Sequence, residues 1–145
     1  MSGCKIWPAD RWFSKAVRAR VDWTCERCST NHRHNPGALD CSHYMGRGNW
    51  ATRFDPDNAF ALCYGCHAYV TANPSEHKVF VRNALGDAMQ EEIERKAKQQ
   101  KRGLKKLVKQ RNNPVVQHYK AEFERIEKLR AQGDTRQRIE VIGYE

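Results

Sequence analysis

Cys25-Glu26-Arg27-Cys28 and Cys63-Tyr64-Gly65-Cys66-His67 are the two stretches that decide how this chain is read. Each carries a Cys-x-x-Cys knuckle, and two knuckles can place four thiolates around one ion. Tetrahedral Zn²⁺, with Zn–S distances of ~2.3 Å, suits such a set and needs no redox chemistry. Unrelated free thiol pairs are one alternative. A redox Cys-x-x-Cys motif is another, but that motif usually occurs once and beside a βαβ pattern. Cys25, Cys28, Cys63 and Cys66 are therefore expected to hold a structural zinc. Between the pairs lie Asp40, His43 and Asn58.

Upstream, Trp12, Phe13, Ala16, Val17 and Val21 recur at helical spacing, which predicts a helix over Arg11 to Val21 with Asp10 as N-cap. Trp12 and Phe13 read as core residues. The polar loop Ser29 to Gly37 follows the first knuckle, and its His32 and His34 read as solvent-exposed. Leu39 to Tyr44 is a short strand candidate, Met45 to Asn49 a glycine-bearing loop and Trp50 to Asp55 a second extended piece. Asp55-Pro56-Asp57-Asn58 is a turn by composition. Ala59 to Leu62 leads into the second knuckle, and a helix is expected from about Cys66 through Val70. Strand, loop, strand, knuckle and helix make a ββα arrangement stapled by zinc.

Downstream, Ser75 is expected to cap a helix over Glu76 to Leu85 that Gly86 ends. A second helix is expected from Asp87 through a basic block, weakened by Gly103. Asn112-Asn113-Pro114 is a break, with the proline suited to a first helical position. The last helix carries Val115, Tyr119, Phe123, Ile126 and Leu129 at spacings of three and four. That stripe buries against the domain, against the preceding helix or against a second subunit in a homodimer. The tail from Asp134 is expected to be loose. Residues 1–86 thus read as a core with its zinc site, and 87–145 as a basic helical extension.

Only 39% of the 145 residues are apolar and 30% are charged, so the core is small, and a metal staple is the usual remedy. No run approaches ~18 apolar residues and no charged segment leads an apolar one. Neither a membrane span nor a signal peptide is expected. Paired knuckles in such a chain point to the cytoplasm, with Cys4 and Cys41 as spare thiols. The formal net charge is +9, and Arg95 to Arg111 carries nine basic residues and no acidic one. Such a block attracts a polyanion through counterion release, and nucleic acid is the expected partner.

Asp40, His43, Asn58 and His67 carry the candidate chemistry. Hydrolysis of a phosphodiester needs a base that activates water near neutral pH, and a cation for the charge growing on the phosphorane. Histidine suits the first task. A divalent ion held by few protein ligands does the second. His43 at a strand end is the base candidate, and Asp40 and His67 are the candidate ligands of the catalytic ion. Asn58 is expected to hydrogen-bond across the loop and hold the His43 backbone.

At these residues the chain resembles the His-Asn-His (HNH, or ββα-metal) nuclease superfamily, with His43, Asn58 and His67 in the three named places. Leu39-Asp40-Cys41-Ser42-His43-Tyr44, Arg53-Phe54-x-x-Asp57-Asn58 and Cys63-x-x-Cys66 resemble more closely the phage NinG/Rap recombination nucleases. Endonuclease VII-type resolvases share the four-cysteine zinc and the Asp-x-x-His spacing. The resemblance implies an α+β fold: a zinc-stapled ββα-metal (HNH) core with flanking and C-terminal α-helices. It also implies a metal-dependent endonuclease acting on branched DNA, such as Holliday junctions or D-loops, with Mg²⁺ or Mn²⁺ as catalytic ion. Two departures bear on the site. Ser42 stands where the commoner pattern has a ligand beside the base, so Asp40 has to reach in, which demands a bulge or turn at Cys41 or Ser42. His67 replaces the family's Asn, which widens tolerance toward Mn²⁺, Co²⁺ or Ni²⁺. The helix also lacks the usual basic or second-histidine residue at Val70 and Thr71, leaving open a contact from Asn73 or His77.

Arg47, Arg53, Lys78 and Arg82 are the expected phosphate contacts near the site. Lys101, Arg102, Lys105, Lys106 and Lys109 belong to the wider footprint. Two rival readings stand beside this one: a sequence-specific or nonspecific HNH nuclease of homing or restriction type, and a non-catalytic zinc-stapled DNA-binding protein.

Overall fold

The computed structural model describes residues 4–145. Helix α1 (Pro8–Arg20) begins at Pro8, a position where no backbone N–H is needed. Asp10 is its third residue, not its N-cap: the carboxylate reaches back to accept the Trp7 N–H at 2.8 Å. After the first knuckle come two antiparallel strands, β1 (Leu39–His43) and β2 (Ala59–Cys63), joined by residues 44–58. Leu39 pairs with Cys63 and His43 with Ala59 in unbroken register. Helix α2 (Tyr64–Ala72) follows β2 directly.

The expected extended piece over Trp50 to Asp55 is instead a run of turns. Its backbone groups bond within the loop: Thr52 N–H to the Asn49 carbonyl, Asp55 N–H to the Thr52 carbonyl. The Asn58 amide also donates to the Thr52 carbonyl. A segment whose polar groups are satisfied locally has none left to pair with a strand. The second strand is the approach to the second knuckle.

Helix α3 (Pro74–Leu85) starts at Pro74, one residue before the expected cap, and Gly86 follows it with φ of +86°. The expected long basic helix is two: α4 (Asp87–Ala97) and α5 (Leu104–Val108). Gly103, at φ +83°, takes the left-handed conformation that separates them. Leu104 and Val108, one turn apart, anchor α5 while Lys105, Lys106 and Lys109 stay exposed. Helix α6 (Pro114–Ala131) has Pro114 in its first turn, and the Asn113 side chain accepts the Val116 N–H at 3.0 Å.

The apolar stripe of α6 packs on α1. Val115, Tyr119 and Ile126 are buried, the Tyr119 ring meets Phe13 edge-on at 5.0 Å, and Phe123 lies 5.9 Å from Trp12. Of the three partners open to the stripe, the domain takes it, through α1. The tail is not loose either. Ile139 and Val141 are buried, the Ile139 N–H donates to the Arg20 carbonyl, and Arg138 pairs with Glu26 at 2.8 Å. Alternating apolar residues in an extended segment supply that anchorage, a period that a helix-oriented reading passes over. One hydrophobic cluster draws on α1, the hairpin, α2, α3, α5, α6 and the tail. The architecture is mixed α+β. Among the described residues no helix is long and apolar enough to cross a membrane.

Candidate metal centre and adjoining site

The Sγ atoms of Cys25, Cys28, Cys63 and Cys66 all lie within 4.8 Å of one another. A regular tetrahedron with Zn–S of ~2.3 Å has S···S edges of about 3.8 Å. The Cys28–Cys63 separation is 3.8 Å. Four closely spaced cysteines could hold a metal such as zinc. The local chain supports the cluster: the Cys28 and Cys63 N–H groups both point at Cys25 Sγ, at 3.5 and 3.3 Å. Burial pushes the Cys66 thiol up to about 12 and raises Cys25. Thiolates in that setting need a cation, which is what a divalent metal provides. Cys4 and Cys41 lie outside the cluster, and burial pushes the Cys41 thiol up to about 12. His32 and His34 stay outside it as well.

Glu26 ties the first knuckle to the sheet, a role its place between two cysteines does not reveal. Its N–H donates to the Ala61 carbonyl at 2.8 Å, and its carboxylate accepts the Ala61 N–H at 2.8 Å. Arg20, wholly buried, donates to the Pro56 carbonyl at 2.7 Å and to the Ala59 carbonyl, and pairs with Glu26 at 3.5 Å. Together they clamp the knuckle, β2 and the turn before it.

The second feature sits between β1 and α2. Asp40 Oδ2 and His67 Nδ1 are 3.0 Å apart, with both side chains about one-third exposed. A carboxylate oxygen accepts, so Nδ1 donates in this bond and Nε2, across the ring, faces away from Asp40. A carboxylate that orients an imidazole in this way is a recurring support for a metal-ligating histidine. His67 is held here because the next residue back, Cys66, belongs to the thiol cluster. His77 of α3 lies near, its ring edge-on to Tyr44 at 5.4 Å, with a buried Nε2 that has no partner among the described residues. Burial, and secondarily His67, lower its pKa. Asn73 does not reach in: its amide donates to the Tyr69 carbonyl at 2.8 Å, closing α2.

His43 occupies a different setting. Its Nε2 lies 3.0 Å from the Arg53 carbonyl, and its ring stacks on Phe13 at 5.8 Å. Because a carbonyl only accepts, Nε2 bears the hydrogen and Nδ1 keeps its lone pair. Burial pushes the His43 pKa down to about 4, opposed by the Arg53 carbonyl and reinforced by the Arg47 cation. The bulge expected near Cys41 is absent from the register. Side chains alternate along a regular strand, so Asp40 leaves β1 toward α2 and His43 toward α1. Among the described residues, no hydrogen bond joins His43 to Asp40 or His67.

Asn58 performs the expected bridging, one step removed. It is fully buried and grips Met45 at both ends, accepting its N–H at 2.7 Å and donating to its carbonyl at 2.8 Å. Its own carbonyl accepts the Tyr44 N–H at 2.8 Å. It thus fixes the two residues after His43.

Arg53 is not a phosphate contact. It is 2% exposed, ion-paired with Asp10 at 2.8 Å, and two further N–H groups donate to the Arg47 and Lys5 carbonyls at 3.0 and 2.7 Å. A guanidinium so fully used cannot also meet DNA, and its carbonyl instead holds His43. Composition does not distinguish this arginine from a surface one. Lys78 and Arg82 are half-exposed and face Glu94 at 3.9 Å and Asp87 at 3.4 Å. In the basic block, Arg95 pairs with Glu92 and Lys96 with Asp55. Lys98, Lys101, Arg102, Lys105, Lys106, Lys109 and Arg111 are exposed, and none joins an ion pair among the described residues. Compared with known proteins, the chain matches no family model, no curated protein and no solved structure.

Proposed function

We propose that this chain is a metal-dependent DNA endonuclease of the ββα-metal type, stapled by zinc and acting on branched recombination intermediates. The observation that carries the reading is the Asp40–His67 contact, which joins a strand to a zinc-knuckle helix at 3.0 Å. Asp40 and His67 would hold the catalytic ion between them once their hydrogen bond opens, because Nε2 points away from Asp40 in the bonded pair. That mixed nitrogen and oxygen set suits Mn²⁺ as well as Mg²⁺. A divalent ion there would supply the charge that the phosphorane and the departing oxygen require. His43 Nδ1 would take the proton of the attacking water, as its new P–O bond forms and the P–O bond to the leaving oxygen breaks, with β1 bulged so that His43 and Asp40 share a face, which the register here does not show. The Arg53 carbonyl and Asn58 position the ring and its strand end.

Two substitutions test the division between the metals. Asp40→Ala and His67→Ala are expected to abolish cleavage while metal analysis still finds about one tightly held zinc and circular dichroism is unchanged. Loss of zinc from His67→Ala would mean that the two sites are not separate.

The seven unpaired cations from Lys98 to Arg111 are proposed to track phosphates. Lys105→Ala together with Lys106→Ala is expected to weaken branched and linear DNA alike. The log–log salt slope should fall by roughly two, one for each phosphate that is no longer neutralised. An unchanged slope would place α5 away from DNA.

A second reading has an observation of its own. His43 and Asp40 leave β1 on opposite faces, which suits a zinc-stapled DNA-binding protein that does not cut. A substrate panel with Mg²⁺ or Mn²⁺ separates the two readings.

A further inference from the structure

Helix α2 presents an exposed face without charge. The sequence Tyr64-Gly65-Cys66-His67-Ala68-Tyr69-Val70-Thr71-Ala72 holds no acidic, lysine or arginine residue, although 30% of the chain is charged. Only Cys66 and Val70 are buried. Tyr64 is 78% exposed, the most of any large hydrophobic residue described, and Tyr69 is 40% exposed. Helices α4 and α6, by contrast, cover their outer faces with Glu, Lys and Arg. Helices α3 and α4 each expose one large apolar residue, Val79 and Met89, among charged neighbours, whereas an uncharged face holding two exposed aromatics has the make-up of a contact surface.

Spacing ties this surface to the Asp40–His67 pair. Tyr64, His67 and Thr71 fall at i, i+3 and i+7, so they line one side of α2. The Tyr64 ring thus stands one turn from the imidazole that touches Asp40. On another side of the helix the Arg27 guanidinium is seated 3.4 Å from Cys66 Sγ and 4.2 Å from the centre of the Tyr69 ring. The helix is flanked by a placed cation, carries no anion, and belongs to a chain of net charge +9. That combination fits a polyanion with flat aromatic faces.

We propose that a nucleic-acid strand lies along the exposed face of α2 and that Tyr64 stacks on a base out of its helical stack, beside the phosphate at Asp40–His67. The assignment rests on the nuclease reading and adds a residue that sets which DNA is preferred. Bases inside a continuous duplex already stack on their neighbours and offer Tyr64 no face. Bases at a branch or bubble are cheaper to expose. Tyr64 therefore favours interrupted DNA without reading sequence, since every base has a π-face.

The test uses the zinc-loaded full chain with no other divalent ion added, so that binding is read without turnover. The probes are a bubble and a matched fully paired duplex, each carrying 2-aminopurine at the same position. Wild type and Tyr64→Phe are expected to quench the bubble fluorescence on binding, and Tyr64→Ala is not. Tyr64→Ala should also lose roughly tenfold in affinity for the bubble, the order that base–aromatic stacking supplies. Its affinity for the duplex should stay the same, with unchanged circular dichroism and zinc content. Equal quenching and affinity in Tyr64→Ala would overturn the proposal, and so would a parallel loss on both probes. Either failure leaves the nuclease reading standing if wild type cleaves DNA with Mg²⁺ or Mn²⁺. Absence of both binding and cleavage in wild type would remove the two together.

Discussion

Cys25→Ser is expected to release the metal and unfold the chain. Cys25 is 1% exposed, and its sulfur receives the N–H groups of Cys28 and Cys63, one from each knuckle. Removing it takes away a ligand and leaves those donors facing a poorer partner inside the protein. Structural zinc contributes roughly 10–16 kcal/mol in small zinc-folded peptides, where binding and folding are one process. Whole domains are stable by only about 5–15 kcal/mol. With a core this small, loss of the staple outweighs what remains. Circular dichroism and metal analysis should therefore report a zinc-free, largely unfolded protein, and chelation of the wild type should do the same. A zinc-free Cys25→Ser protein with the wild-type melting temperature would show that the cluster is not what holds the fold.

His43→Ala is expected to keep the fold and DNA binding while slowing cleavage by at least ~10²-fold, the usual scale for losing a general base. Near-wild-type cleavage by this variant would remove His43 from the mechanism. A second readout concerns pH. Burial holds the His43 pKa down near 4, below the ~6.5 of an unfolded chain. Between those values the unfolded state takes up a proton that the native state refuses. Acid in that window therefore favours unfolding through His43. The stability advantage of wild type over His43→Ala should narrow as pH falls from about 6.5 to about 4, measured by urea unfolding. An advantage that stays constant across the window would mean that the ring is more open to water than its packing on Phe13 implies.

How far the sequence carries depends on the residue. Both knuckles are legible because four cysteines at fixed spacing have few other uses. The α6 stripe is legible from its spacings of three and four, which burial of one face imposes. The pairing of Asp40 with His67 is also within reach, since one follows a cysteine of the cluster and the other lies on the strand between the knuckles that faces it. Arg53 is misread from sequence because an arginine's destination depends on whether a carboxylate waits inside the fold, and Asp10 does so from helix α1. Asp10 itself is mistaken for a cap because its partner Trp7 lies beyond a proline. The break in the basic helix hinges on Gly103 adopting positive φ, which composition permits but does not require. The tail reads as loose because its anchors, Ile139 and Val141, alternate over too few residues to stand out. The mutual placement of Asp40 and His43 turns on strand register. A single bulge there would bring the two side chains to one face, and the regular ladder keeps them apart.

Cleavage of a four-way junction, a flap, a D-loop and a linear duplex, compared at equal concentration with Mg²⁺ and with Mn²⁺, bears most directly on the nuclease reading. The zinc-loaded wild type is expected to cut the branched substrates ahead of the linear duplex, with either metal, and the Asp40→Ala protein to cut none. Binding of all four DNAs with no cleavage under either metal would contradict it and leave a zinc-stapled DNA-binding protein in its place.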